Sequence, residues 1–255
     1  MADVLLTETA DRIRTLTLNR PQVRNALSTE LRGKLFPALR EADADDDVDV
    51  VILTGADPAF CAGVDLKEIG GGPDRPGGLP DLSPKWPAMT KPVIGAINGV
   101  AVTGGLELAL CCDILIASER ARFADTHARV GLLPSWGMSV RLPQAVGRGL
   151  AYRMSLTGDY LLADDALRAG LVTQVVPHDE LMNTAREVAT SIVGNNRAAV
   201  RALLTSYHRI DEAQTRAAME IEAASAKQWL ESNASSADIA ANRDAVLKRG
   251  RAQIR

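Results

Sequence analysis

The hydrophobic pattern is most informative between residues 92 and 117. Residues 92–97 form an apolar run bounded by Lys91 and by Asn98-Gly99, which predicts a short buried strand. Thr103-Gly104-Gly105 predicts a turn, and the apolar stretch from Leu106 through Cys112 predicts a helix leaving it. Upstream, residues 13–18 alternate apolar and polar with period two. They predict the second of two strands, the first at 3–9, joined at Ala10-Asp11. Ser28 before Thr29-Glu30-Leu31 reads as the cap of a helix running to Ala44. The continuous apolar run at 48–53 predicts a buried parallel strand. Strands at 113–117 and 121–124 follow, then a turn-rich stretch at 125–137. Helices are predicted at 138–146, 148–156 and 163–169, and a strand at 171–176. Beyond His178 the pattern is helical, at 178–193, 196–210, 212–231 and 235–249. Strands alternating with helices, then helices alone, predict an α/β fold with a helical C-terminal region.

Composition narrows the function classes. The chain has 255 residues, 46% apolar and 24% charged, as expected of a soluble globular protein. Its formal charge of −3 argues against nucleic acid or an anionic membrane as partner. No apolar run approaches a membrane span, and the N-terminus lacks a basic start followed by a long apolar core, so a cytoplasmic location is expected. Cys61, Cys111 and Cys112 give no disulfide framework. On a helix, adjacent Cys111 and Cys112 face different ways, so buried thiols and no metal site are expected. Residues 70–84, rich in Gly and Pro, predict a surface loop, read as a lid because it lies between two candidate backbone-donor sites.

The candidate chemistry starts at Glu107. A carboxylate surrounded by Leu106, Leu108, Ala109 and Leu110 needs a reason, because burying an unpaired charge is costly. An acid near a helix N-terminus is one reason. A general acid/base beside an oxyanion site is the other, and the outward N–H groups expected at Gly104-Gly105 suit it. Ala62 and Gly63 also permit a close backbone approach.

At Phe60-Cys61-Ala62-Gly63-Val64-Asp65-Leu66 and Asn98-Gly99-Val100-Ala101-Val102-Thr103-Gly104-Gly105-Leu106-Glu107 the sequence resembles the crotonase family, the enoyl-CoA hydratase/isomerase superfamily. Asn19-Arg20-Pro21, Cys112-Asp113-Ile114, Gly131-Leu132-Leu133-Pro134 and Ala169-Gly170-Leu171-Val172 extend the resemblance over nearly the whole chain. The resemblance implies a spiral of ββα units over residues 1–195 and a helical trimerisation region over 196–255. It implies a homotrimer or a dimer of trimers, acting on an acyl-CoA thioester in pathways such as β-oxidation, with coenzyme A as part of the substrate and no metal or redox cofactor. The oxyanion donors would be the backbone N–H groups of Val64 and Gly104. Losing one such donor typically costs ~2.7–4 kcal/mol of transition-state stabilisation. Coenzyme A would lie near Arg24, Ala62, Asp65, Leu66 and Lys67.

One departure from the family pattern stands out. Hydratases of the family use two glutamates; one matches Glu107, but the position of the second holds His127. An imidazole with an unperturbed pKa near 6.5 suits either acid or base work, so Glu107 with His127 is the expected hydratase pair. The alternatives are an isomerase working through one base, thioester hydrolysis through Ser135 with His127, and a catalytically weak acyl-CoA-binding paralogue. Trp136 is expected to wall an acyl pocket. Asp125 is expected to cap a turn, His178 and His208 to be structural, and Trp86 and Trp229 to pack.

Overall fold

The computed structural model describes residues 3–65, 68 and 86–233. The described strands are β1 (Leu5–Ala10), β2 (Ile13–Leu18), β3 (Val50–Gly55), β4 (Ala59–Cys61), β5 (Val93–Ile97), β6 (Val100–Val102), β7 (Ile114–Ser118), β8 (Arg122–Ala124), β9 (Leu161–Leu162) and β10 (Gln174–Val176). The described α-helices are α1 (Thr29–Ala44), α2 (Gly104–Ala109), α3 (His127–Val130), α4 (Met138–Val146), α5 (Arg148–Thr157), α6 (Ala163–Ala169), α7 (Leu181–Val193) and α8 (Arg197–Asn233).

Two sheets are built at once. The first has the order β1-β2-β3-β5-β7-β10 and the second the order β4-β6-β8-β9. β1 and β2 are an antiparallel hairpin, and β2, β3, β5, β7 and β10 are parallel neighbours. The chain therefore climbs as a spiral. β3 then β4, β5 then β6, and β7 then β8 each place one strand in either sheet, and the later two turns close with α2 and α3.

The apolar run of β3 is explained by burial on both faces. Val51 and Leu53 face the main core with Leu31, Leu35 and Leu39 of α1, while Val50 and Ile52 face Leu181, Ala185 and Ala189 of α7. β5 divides in the same way, Val93 and Ile97 to one side, Ile94 and Ala96 to the other. Ser28 caps α1 as expected, its Oγ accepting from the Leu31 N–H at 3.1 Å.

The structure corrects several sequence expectations. β6 is a strand of its own, three residues long, between the strand expected at 92–97 and the turn expected at Thr103-Gly104-Gly105. α2 ends at Ala109, so Cys111 and Cys112 lie beyond it rather than on it. A short helix, α3, occupies part of the turn-rich stretch. α8 runs 37 residues without the break expected near 211, where no Gly or Pro interrupts it. The expected loop at 70–84 and the expected helix at 235–249 fall outside the described residues.

The segment before α1 locks the backbone that follows β4. Asn25 is fully buried, with φ at 56°. Its Oδ1 accepts from the Arg20 N–H at 2.8 Å, and its Nδ2 donates to the Ala56 and Ala59 carbonyls at 2.8 and 2.6 Å. Three backbone bonds then fasten residues 62–65: Ala62 N–H to Arg24 O, Leu27 N–H to Gly63 O, and Asp65 N–H to Leu27 O, at 3.0, 2.8 and 3.2 Å. Asn25→Ala strands these partners and puts alanine at a positive φ. It is expected to lower unfolding free energy by about 2–4 kcal/mol in urea titrations, and a change below about 0.5 kcal/mol would contradict this role.

Candidate active site

Two backbone amides meet where β4 ends and α2 begins. Gly63 has φ +87°, and a Cβ there would lie 2.9 Å from the Val102 carbonyl oxygen and 3.2 Å from the Gly104 nitrogen. A Cβ on Gly105 would lie 2.1 Å from the Cys61 carbonyl oxygen. The two segments touch only because both residues are glycine. The Val64 and Gly104 N–H groups are thereby brought side by side, a Cβ on Gly104 lying 3.4 Å from the Val64 nitrogen. Neither N–H donates to a backbone carbonyl among the described residues. Gly104 opens α2, so its N–H is one that the helix cannot satisfy.

Thr103 sets the direction of this turn. Its φ of 55° and ψ of −118° are strained for a β-branched residue. The conformation is held from three sides. Thr103 N–H donates to Ala124 O at 2.9 Å, Thr103 O accepts from Glu107 N–H at 2.9 Å, and its hydroxyl shares a 2.8 Å hydrogen bond with that of Thr126.

Glu107 lies one turn into α2, on the side of Gly104, and is 3% exposed. Its Oε1 accepts from the Trp136 N–H at 2.8 Å. Its Oε2 lies 3.7 Å from Nε2 of His127, which opens α3 and is itself buried. On the other side of the ring, His127 Nδ1 is 2.7 Å from Asp125 Oδ1, which also accepts from the His127 N–H at 3.1 Å. Asp125, His127 and Glu107 form a buried row.

Burial pushes the Glu107 carboxyl up to about 7, against the opposing pull of His127 and the Trp136 N–H. Burial also lowers the imidazole's proton affinity, but the Asp125 hydrogen bond and the Glu107 charge outweigh it and leave the pKa raised. For Asp125 burial is the largest influence and acts upward, but the hydrogen bonds and charge of His127, with a hydrogen bond from Ser155, together outweigh it, so its carboxyl is lowered. The row thus keeps Asp125 ionised and favours an imidazolium beside a carboxyl that titrates near neutrality.

The other expected residues are placed as follows. Arg24 is exposed, and its carbonyl holds the half-buried Ala62. Asp65 is buried and its carboxylate lies 3.0 Å from Arg20 Nη2. Leu66 and Lys67 fall outside the described residues. Ser135 is half-buried beside Trp136, whose ring is buried. Among the described residues Ser135 has no hydrogen bond to His127, whose two ring nitrogens face carboxylates, so the hydrolase arrangement is not formed. His178 bridges Ser118 and Asp57, and His208 bridges Asp113 and Met89 O. Trp86 packs against the core, whereas Trp229 stays 38% exposed and donates Nε1–H to Gly131 O at 2.9 Å. Burial holds the Cys61 and Cys111 thiols up at about 12 and 11, as neutral groups. Reading the residues in order missed the role of Asp125, and missed Glu222 altogether. Glu222 is a buried carboxylate of α8 whose charge reaches Glu107. Its one sequence signal is an acid flanked by apolar positions, which is common on amphipathic helices.

Residues 8–247 match the family model described as enoyl-CoA hydratase/isomerase. The solved enoyl-CoA hydratase from Mycobacterium tuberculosis H37Rv is 72% identical and superposes with a TM-score of 0.86, over 90% of this chain and 100% of that one. A plant relative, "Probable enoyl-CoA hydratase 1, peroxisomal" of Arabidopsis thaliana, is 43% identical over 74% of this chain and 72% of its own. The short-chain-enoyl-CoA hydratase of Clostridium acetobutylicum is 39% identical over 77% of this chain and 78% of its own.

Two outcomes follow from the site. Folded Glu107 keeps its proton up to about pH 7, whereas its ordinary value is 4.5, so its contribution to stability falls as pH rises between those values. Glu107→Gln is therefore expected to raise the unfolding free energy at pH 8 by roughly 1–3 kcal/mol and to leave it unchanged at pH 4, as read from urea titrations at the two pH values. Gly104→Ala is expected to fold with a near-native melting curve yet bind an acyl-CoA thioester poorly, because its methyl group sits 3.4 Å from the Val64 nitrogen. An unchanged affinity in a titration would contradict that placement.

Proposed function

The chain belongs to the enoyl-CoA hydratase/isomerase family, and from that premise we propose that it is an enoyl-CoA hydratase working through a glutamate–histidine pair. Water adds across the 2,3 double bond of a 2-enoyl-CoA thioester. The N–H groups of Val64 and Gly104 hold the thioester oxygen as it gains enolate charge, and the positive end of α2 favours that charge. Glu107, as carboxylate, takes a proton from the water as its oxygen bonds to C3. His127, as imidazolium, gives a proton to C2, and Asp125 holds the ring oriented and charged. Transfer of the proton from Glu107 to His127, 3.7 Å apart, resets the pair.

The Asp125–His127–Glu107 row carries this reading. Moving a double bond needs one base, whereas adding water is served by a base and an acid together, and the row supplies both. Coenzyme A enters as part of the substrate, and no other cofactor is needed. Its proposed neighbours are Arg24 and Ala62, at the backbone that leads to Val64. Assembly as a homotrimer or a dimer of trimers is supported by Leu203, Tyr207, Ile210 and Ile221, large apolar side chains exposed along α8. Among the described residues no helix is long and apolar enough to cross a membrane, and a cytoplasmic location is part of the proposal.

The test is the loss of 2-enoyl absorbance with crotonyl-CoA and a long-chain enoyl-CoA across pH. kcat/KM is expected to rise through about pH 7 as Glu107 ionises, and to fall at higher pH as His127 loses its proton. Glu107→Gln and His127→Ala are each expected to lose roughly 10²–10⁴-fold. Retained activity in Glu107→Gln would sink the assignment. Gain of 2-enoyl absorbance from a 3-enoyl-CoA by an enzyme inert to crotonyl-CoA would make it an isomerase.

A further inference from the structure

α8 returns a carboxylate to the site from 115 residues downstream of Glu107 in the chain, counting Glu107 to Glu222. Glu222 is 7% exposed, and both its oxygens are used: Oε1 accepts from Gly137 N–H and Oε2 from Ser139 N–H, each at 2.6 Å. These N–H groups stand at the start of α4, which has no side-chain cap of its own. Gly137, at φ +96°, lets α8 approach closely, since a Cβ there would lie 2.8 Å from Met219 Cε. The amide just before Gly137 belongs to Trp136 and donates to Glu107 Oε1 at 2.8 Å. Arg141 Nη1 donates to the Trp136 carbonyl at 3.1 Å, and Trp229 of α8 holds Gly131 O. The turn at 136–139 is therefore gripped by two carboxylates, Glu107 from α2 and Glu222 from α8.

We propose that Glu222 is a positioning residue for the hydration reaction: by clamping the Gly137 and Ser139 amides it fixes the Trp136 N–H that orients Glu107. This rests on Glu107 being the acid/base. It makes the docking of α8, a helix outside both sheets, a condition for catalysis. The charge of Glu222 supports the same conclusion. The groups that face Glu107 are His127 and Asp125 from the β8–α3 segment, Glu222 from α8 and the neutral Cys111 thiol, which Arg141 contacts. Glu222 acts on the carboxyl in the direction that keeps it protonated.

The test compares wild type with Glu222→Gln, Glu222→Asp and Glu107→Gln, reading kcat, KM, the pH profile and the thermal midpoint. Glu222→Gln keeps the length, loses the charge and turns an NH₂ toward one of the two donors. Its kcat is expected to fall on the order of 10- to 100-fold, the scale for a catalytic group displaced by about an ångström, with KM within about twofold. Its acid limb is expected to move to lower pH. Glu222→Asp keeps the charge but is one methylene short, so kcat is expected to fall while the acid limb stays in place. A folded Glu222→Gln with wild-type kcat and acid limb, or one altered only in thermal midpoint, overturns the proposal. Should that variant not fold, wild-type kcat in Glu222→Asp overturns it. An active Glu107→Gln overturns the reading beneath it, and is distinguishable because Glu222 is intact there.

Discussion

Contact between the end of β4 and the start of α2 governs this molecule. The contact exists because Gly63 and Gly105 lack side chains; at Gly105 a single added carbon would overlap the Cys61 carbonyl. From that approach follow the paired N–H groups of Val64 and Gly104, the strained turn at Thr103, and the direction in which α2 carries Glu107 inward. The spiral supplies the support. β4 and β6 are parallel neighbours in the second sheet, and the Asn25 turn ties the same backbone to the segment before α1. A donor pair made of backbone is insensitive to side-chain identity, which is why valine can stand at one of its two positions.

Electrostatics complete what packing begins. Two buried carboxylates and an imidazole share a small volume, and hydrogen bonds decide which of them is charged. Burial raises both, but Asp125 has two hydrogen bonds from His127 and one from Ser155 and is held ionised, whereas Glu107 has one from Trp136 and is left raised. The same residue type is thus set to different tasks by its neighbours, with histidine between them as the group that can carry the second proton.

Much of this was legible in the sequence, and the exceptions have physical reasons. The alternating and continuous apolar runs reveal β2, β3 and β5, because strand periodicity is a local property. Glu107 could be singled out because a lone acid in an apolar helix is visible along the chain, and its relation to Gly104 is one helical turn. β6 and α3 were hidden, being three and four residues long, below the length at which a period can be read. Asp125 reads as a turn residue because it is one, accepting the His127 amide; that the same oxygen also holds the ring depends on side-chain direction. The pairing of Asp65 with Arg20 could not be read along the chain, since it spans 45 positions of sequence. Glu222 could not be found from its surroundings, since its partners at Gly137 and Ser139 are 85 and 83 residues away.

One buried glutamate and one buried histidine are proposed to add water across a conjugated thioester. The direct measurement is to run the reaction with crotonyl-CoA in ¹⁸O-labelled D₂O and locate both labels in the product by mass spectrometry. ¹⁸O at C3 and one deuterium at C2 are expected in the same intact thioester, with neither label incorporated by Glu107→Gln. Deuterium without ¹⁸O, or ¹⁸O in a released carboxylate with free thiol, would contradict it.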